Sequence, residues 1–301
     1  AGLPITAKTD PQITIKEIDE QTGSFVTDFY VTTSDAETEN LYHVQEYYRL
    51  RYTSDRIYLL NYERTMGQVF REDGNVYANN KIMLGITADE IQMEESDDGN
   101  ILAFVSGNRL FSYNTVDNKM AYLFGFYDKD NRDARTFYNM HRIKILDVSE
   151  GGNVTFLVYG YMNRGRHEGE VGISAFYYDS TVNTIEELVY IPSEDPQDVI
   201  IEKVNRLSYI NRDGILYLMD NQHIYGINFT ERTYEMVADH LHYNGYVISD
   251  SNRMIAWQEG DSLENSQTVV LMNLNTGVQK RIEAKASETI VPIGFIEEDL
   301  I

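Results

Sequence analysis

The sequence contains no cysteine, which excludes a disulfide framework, thiolate zinc sites and a cysteine nucleophile together. It has no run of 18 apolar residues, so no helical transmembrane span is expected. Basic residues are also short: 25 against 48 acidic ones, for a formal net charge of -23. Such a surface repels phosphate backbones and anionic headgroups. Neither nucleic acid nor direct membrane insertion of this segment is expected, whereas cations and basic proteins suit the charge. Helical periodicity is weak throughout. The best helix candidates, Glu37–Val44 and Ala88–Met93, are too short to stand without tertiary support.

Tyrosine, by contrast, is abundant, with 23 copies beside 12 phenylalanines. Tyrosine favours half-buried strands, where the ring packs and the hydroxyl reaches water. A length of 301 residues suits one large all-β domain or two ordinary ones. Mean hydropathy of -0.41 argues against a membrane protein. The sequence opens Ala1-Gly2-Leu3-Pro4, as if a signal or anchor had been removed, and an extracytoplasmic location, secreted or membrane-anchored, is the expectation.

Apolar stretches are short, partly alternating and bounded by Gly, Asn, Asp or Ser. Ile101–Val105, Arg109–Tyr113, Val154–Tyr161, Ile215–Met219 and Thr268–Leu274 have strand lengths and strand boundaries. Aligning the turns exposes a repeat. Ser96-Asp97-Asp98-Gly99-Asn100 leads into Ile101-Leu102-Ala103-Phe104, and Ser149-Glu150-Gly151-Gly152-Asn153 into Val154-Thr155-Phe156. Asn211-Arg212-Asp213-Gly214 leads into Ile215-Leu216-Tyr217, and Ser249-Asp250-Ser251-Asn252 into Met254-Ile255-Ala256-Trp257. Thr53-Ser54-Asp55-Arg56 before Ile57-Tyr58-Leu59 is a weaker copy. The mean interval of about 49 residues is near the ~40–50 of a propeller blade.

Ser-x-Asp-Gly-x-x-Ile-Ala-Phe followed by Leu-Tyr-x-x-Asx resembles the blade of TolB-like and WD40-like propellers over residues 46–284. The resemblance implies an all-β fold, a β-propeller of four-stranded antiparallel blades. Five blades are recognisable within a single domain over 1–301. Residues 1–45 carry N-terminal strands, and 285–301 start a further blade at Val291 that the N-terminal strands would complete. In the same grammar the Ser-Asp-Gly turns lie on one face. The long loops Tyr127–Arg142, Asn163–Glu170, Ser193–Lys203, Asp239–Gly245 and Glu259–Ser266 then share the opposite face, which usually binds the ligand or partner in the propellers it resembles.

Three loops carry candidate residues. Arg164, Arg166, His167 and Glu168 crowd one hairpin tip, suited to contacting a partner or, through His167 and Glu168, to acid–base work. Asp128, Asp130 and Asp133 alternate like the start of a calcium loop, without its glycine or closing glutamate. His240 and His242 fall on one side of an extended segment, as a zinc pair would, though a third ligand is needed. No cofactor beyond such a calcium ion is implied. Ser174 lies in a strand and not at a nucleophile elbow. The reading that follows is a non-enzymatic, extracytoplasmic propeller module of a bacterial cell-surface or membrane-anchored protein, binding a protein or glycan at the loop face. Its rival is a glycan-active enzyme using a carboxylate pair there.

Overall fold

The structure, a computed structural model, describes residues 4–34, 39–71, 76–78, 81–85, 91–126, 140–220, 222–231, 233–260 and 263–301. The first sheet draws on β1 (Ile5–Ala7), β2 (Gln12–Ile18), β3 (Thr22–Ser34), β4 (Glu39–Tyr52) and β5 (Ile57–Gln68). Its order is β1-β3-β4-β5, with β2 also pairing β3. Where a helix was expected over 37–44, the described residues from Glu39 onward are strand. Tyr42 and Val44 pair directly with Val31 and Phe29, and this alternating cross-strand packing outweighs a weak helical preference.

One row of this sheet is polar. Thr27, Glu46 and Arg64 are direct neighbours, and Phe25, Tyr48 and Tyr62 form the adjoining row. Glu46 is buried and accepts hydrogen bonds from Tyr48 Oη at 2.6 Å, Tyr62 Oη at 2.8 Å and Arg64 Nε at 2.7 Å. Burial alone would raise its pKa, but these donors and the guanidinium charge outweigh it and hold the carboxyl below its ordinary value. In return the bond to Glu46, helped by burial, pushes the Tyr48 hydroxyl up to about 12.

A short hairpin of β6 (Tyr77–Ala78) and β7 (Lys81–Ile82) precedes the repeat. The second sheet holds β8 (Met93–Glu95), β9 (Ile101–Ser106), β10 (Arg109–Asn114) and β11 (Lys119–Phe124). The third holds β12 (His141–Val148), β13 (Val154–Tyr161), β14 (Val171–Asp179) and β15 (Thr184–Pro192). Helix α1 (Gln197–Arg206) leads to β16 (Ser208–Ile210), β17 (Ile215–Asp220), β18 (His223–Asn228) and β19 (Thr233–Ala238). The last full sheet is β20 (Tyr246–Ile248), β21 (Met254–Glu259), β22 (Thr268–Asn273) and β23 (Val278–Glu283). Each is an antiparallel meander in chain order, the blade of a β-propeller. The sheets are not closed. β24 (Phe295–Ile296) pairs with β25 (Asp299–Leu300), while β1 and β2 pair with β3, so the N-terminal strands do not complete the blade begun at Val291.

The repeated turns share one mechanism. In each, the first residue's side-chain oxygen accepts the N–H of the residue that resumes the chain: Ser96 Oγ from Ile101, Ser149 Oγ from Asn153, Asn211 Oδ1 from Ile215 and Ser249 Oγ from Met254, at 2.9–3.0 Å. Ser96, Asn211 and Ser249 are buried, so the bond satisfies a donor that water would reach poorly. A left-handed residue closes each turn: Gly99, Gly152, Gly214 or Asn252, the residue types that tolerate positive φ. Thr53 makes a different turn, exchanging bonds with Arg56 at an exposed hairpin tip.

Contacts divide the chain into two units, Ala1–Asn153 with Met162–Gly169, and Val154–Tyr161 with Glu170–Ile301. In the first, Phe70 packs edge-on to Phe104 and Phe111, which stack on each other. In the second, a core cluster gathers Tyr217, Met219 and Ile224 with Ile255, Trp257 and Val270. Helix α1 buries Ile200 and Val204, one turn apart, and carries Asp198 in its first turn with Lys203 and Arg206 in its last, as the helix dipole favours. No described helix is long and apolar enough to cross a membrane.

Candidate functional site

In the second unit the loop after β19 meets its neighbours. Pairing of Ile224 with Ala238 brings the start of β18 beside the end of β19. Leu241 is buried, and its N–H bonds the Gln222 carbonyl at 2.8 Å, tying the loop after β19 to the turn before β18. His242 Nε2 lies 3.2 Å from the Gly260 carbonyl, and the Gln258 N–H bonds Gly245 O at 2.8 Å. These bonds bring the loop after β21 against the same segment. Arg206, at the end of α1, bonds the Tyr246 hydroxyl at 2.7 Å and lies 5.0 Å from the Tyr243 ring centroid. The end of α1, the turn before β18, the loop after β19 and the start of the loop after β21 therefore belong to one connected surface in this unit.

Beside the loop after β19 lies a cleft of about 250 Å³ lined by Asp239, His240, Trp257, Glu259, Gln279 and Arg281, among others. Asp239 sits between two imidazoles. Its Oδ1 is 2.8 Å from His223 Nε2 and accepts the His240 N–H at 2.8 Å, and its Oδ2 is 3.0 Å from His240 Nδ1. On the other wall Arg281 donates to Glu259 in a fork, Nε to Oε2 at 3.1 Å and Nη2 to Oε1 at 2.9 Å. That hydrogen bonding holds the Glu259 carboxyl below its ordinary value. Both carboxylates of the cleft are thus engaged by cationic or imidazole partners. The arrangement displays donors and charges in fixed positions around the cleft.

His240 and His242 do not lie on one side of an extended segment. His240 has φ of 54°, so the segment is not extended and the two rings turn to different partners. Among the described residues no group of three His, Asp or Glu is placed to hold a metal ion. Asp128, Asp130 and Asp133 lie outside the described residues. Arg164, Arg166, His167 and Glu168 form a compact turn in the first unit, closed by Gly169 N–H to Met162 O at 2.9 Å. Left-handed Gly165 and Gly169 bracket the turn. Arg166 and Glu168 are exposed, whereas Arg164 and His167 are half-buried.

Sequence reasoning missed His223 and the Glu259–Arg281 fork. The one available signal was register, because the turn before β18 must lie beside the end of β19 in any meander. It also missed an apolar cavity of about 380 Å³ lined in part by Leu188, Tyr190, Tyr225, Phe229 and Tyr234. Tyr190 is a fixed wall of it. Its hydroxyl bonds the Val171 carbonyl at 3.2 Å, and burial, with a hydrogen bond to Glu170, pushes it up to about 12.

No family model and no curated protein matches the chain. Solved structures with related folds include TolB from Acinetobacter baumannii, at 9% identity and a TM-score of 0.36 over 87% of this chain. A tricorn protease matches at 12% and 0.35 over 89%, and a Mycobacterium tuberculosis puromycin-hydrolyzing peptidase at 10% and 0.38 over 92%. The chain spans only 60%, 26% and 46% of those three chains. At such identities and scores the likeness carries nothing about activity or partner.

Proposed function

We propose that the chain is an extracytoplasmic binding module of a bacterial cell-surface or membrane-anchored protein, whose partner is a protein or glycan that docks on the loop surface of the second unit. The observation that supports this reading is the cleft between the His223–Asp239–His240 bridge and the Glu259–Arg281 fork. Loops that carry function on a rigid scaffold concentrate polar recognition groups in this way. The charge of -23 favours partners that are neutral or basic. The test is a glycan array and a panel of purified cell-surface proteins, screened with the intact chain and with His240→Ala and Arg281→Ala. A ligand whose affinity falls at least tenfold in both variants supports the proposal. A ligand held equally well by both variants, or turnover of a glycan that Asp239→Asn abolishes, overturns it.

A further inference from the structure

One face of the first sheet exposes large apolar side chains on either side of its Thr27–Glu46–Arg64 row. Direct pairing places Ile5, Ile13, Ile15 and Ile18 of β1 and β2 on the face that holds Glu46. Pairing across β4 and β5 adds Tyr52, Ile57, Leu59, Tyr62 and Met66 to it. All nine are exposed, from 39% for Tyr62 to 78% for Ile18. No other described sheet exposes more than two large apolar side chains from its strands. Exposed apolar patches mark interaction surfaces, and a sheet normally buries one face against a second layer.

We propose that this face is an isologous interface, on which a second copy of the chain packs its own first sheet. Two observations select a second copy. The first is charge. Among the residues paired on this face only Glu46 and Arg64 are charged, and they neutralise each other through the Arg64 fork. Two copies can therefore stack without opposing like charges, although each carries -23. The second is size. β3, β4 and β5, with β1 and β2 along one edge, lie about 4.8 Å apart and run about twelve residues at about 3.3 Å each, a face of roughly 750 Å² on which Thr27, Val31, Thr33, Val44 and Glu46 are buried and the remainder is open. A standard stable interface needs roughly 800 Å² per partner. Aligned sheets pack face to face about 10 Å apart, a spacing that isoleucine, leucine and methionine side chains fill.

Light scattering coupled to size-exclusion chromatography tests this on the intact chain. At micromolar concentration the expected mass is twice 34.8 kDa. Ile15→Glu and Leu59→Glu place a charge on the face at exposed positions and weaken dimerisation at least tenfold, whereas Thr65→Glu, on the opposite face of β5, does not. Far-UV circular dichroism confirms that the variants stay folded. Because the chain has no cysteine, a short bis-maleimide offers a second readout: Met66→Cys cross-links into a dimer, and Thr65→Cys does not. A monomer at 100 micromolar, a dimer indifferent to both glutamates, or cross-linking that ignores the face overturns the proposal. In the first case the face belongs to another segment or partner.

Discussion

Lowering the pH from 7.5 to 5 should cost this protein about 2 kcal/mol of stability through one residue, His141. The ring is buried, 1% exposed, at the start of β12. Its Nε2 faces the Asn108 carbonyl at 3.2 Å, and Asn108 Nδ2 returns a bond to the His141 carbonyl at 3.2 Å. A carbonyl only accepts, so Nε2 carries the proton and Nδ1 is the bare nitrogen, buried without a partner among the described residues. Phe126 stands edge-on, 4.6 Å away between centroids. Among the described residues nothing in that pocket solvates a second proton. Burial therefore drives the imidazole down to about 4, with only partial compensation from the Asn108 bond.

The sign follows from proton binding. As pH falls below about 6.5 the unfolded chain takes up a proton that the folded chain refuses until about 4. Stability from this residue is fully present above 6.5 and lost as pH falls towards 4. A gap of about 2.5 pKa units corresponds to roughly 3 kcal/mol in full, of which about 2 is lost by pH 5. Urea unfolding at both pH values measures it, with His141→Gln as reference, since glutamine still donates to Asn108 without titrating. The wild type should lose about 2 kcal/mol more than the variant across the interval, a difference that cancels the many carboxylates. Equal losses, or an NMR titration placing this imidazole near 6.5, would refute the reasoning.

Glu46→Gln removes the charge from a carboxylate that three side chains serve, and should destabilise the first sheet by about 2–4 kcal/mol in chemical denaturation at pH 7. The wild-type contribution fades only in acid, as pH falls from the unfolded glutamate value through the lowered folded one, a window below that of His141. Gly172→Ala should be more damaging, because a Cβ there would lie 2.4 Å from the Ile191 carbonyl oxygen and 2.8 Å from the Tyr190 ring. The carbonyl belongs to the paired strand and cannot swing aside. A loss of at least about 3 kcal/mol and a quenched contribution of Tyr190 to near-UV circular dichroism are expected, and a variant with wild-type melting would show that β15 yields freely.

Legibility followed sequence distance. The turns at 96, 149, 211 and 249 were readable because their chemistry is contained within five or six residues: a serine or asparagine oxygen, a returning N–H and a left-handed glycine or asparagine. Helix α1 was written in the sequence too, with Pro196 ahead of it, Asp198 and Lys203 at opposite ends and Ile200 and Val204 one turn apart. It was missed because ten residues hold too few turns for periodicity to rise above the surrounding loop. His240 and His242 were noticed, but their geometry depends on a left-handed residue that no pattern announced. His223 could be joined to Asp239 only through the register of β18 and β19.

An absence of cysteine, a scarcity of basic residues and a recurring turn are enough to specify an acidic, disulfide-free, all-β chain built of repeated four-stranded meanders. Those properties reside in composition and in local hydrogen bonding. Tertiary structure alone decided that the N-terminal strands build a broad sheet of their own and leave β24 and β25 unjoined to it. It also decided that His141 is buried, that Asp239 bridges two imidazoles, and that the isoleucines of β1 and β2 are exposed on the face that carries Leu59 and Met66. Each of these depends on which distant strands pair and in what register, and a one-residue slip would send every side chain of a strand to the other face.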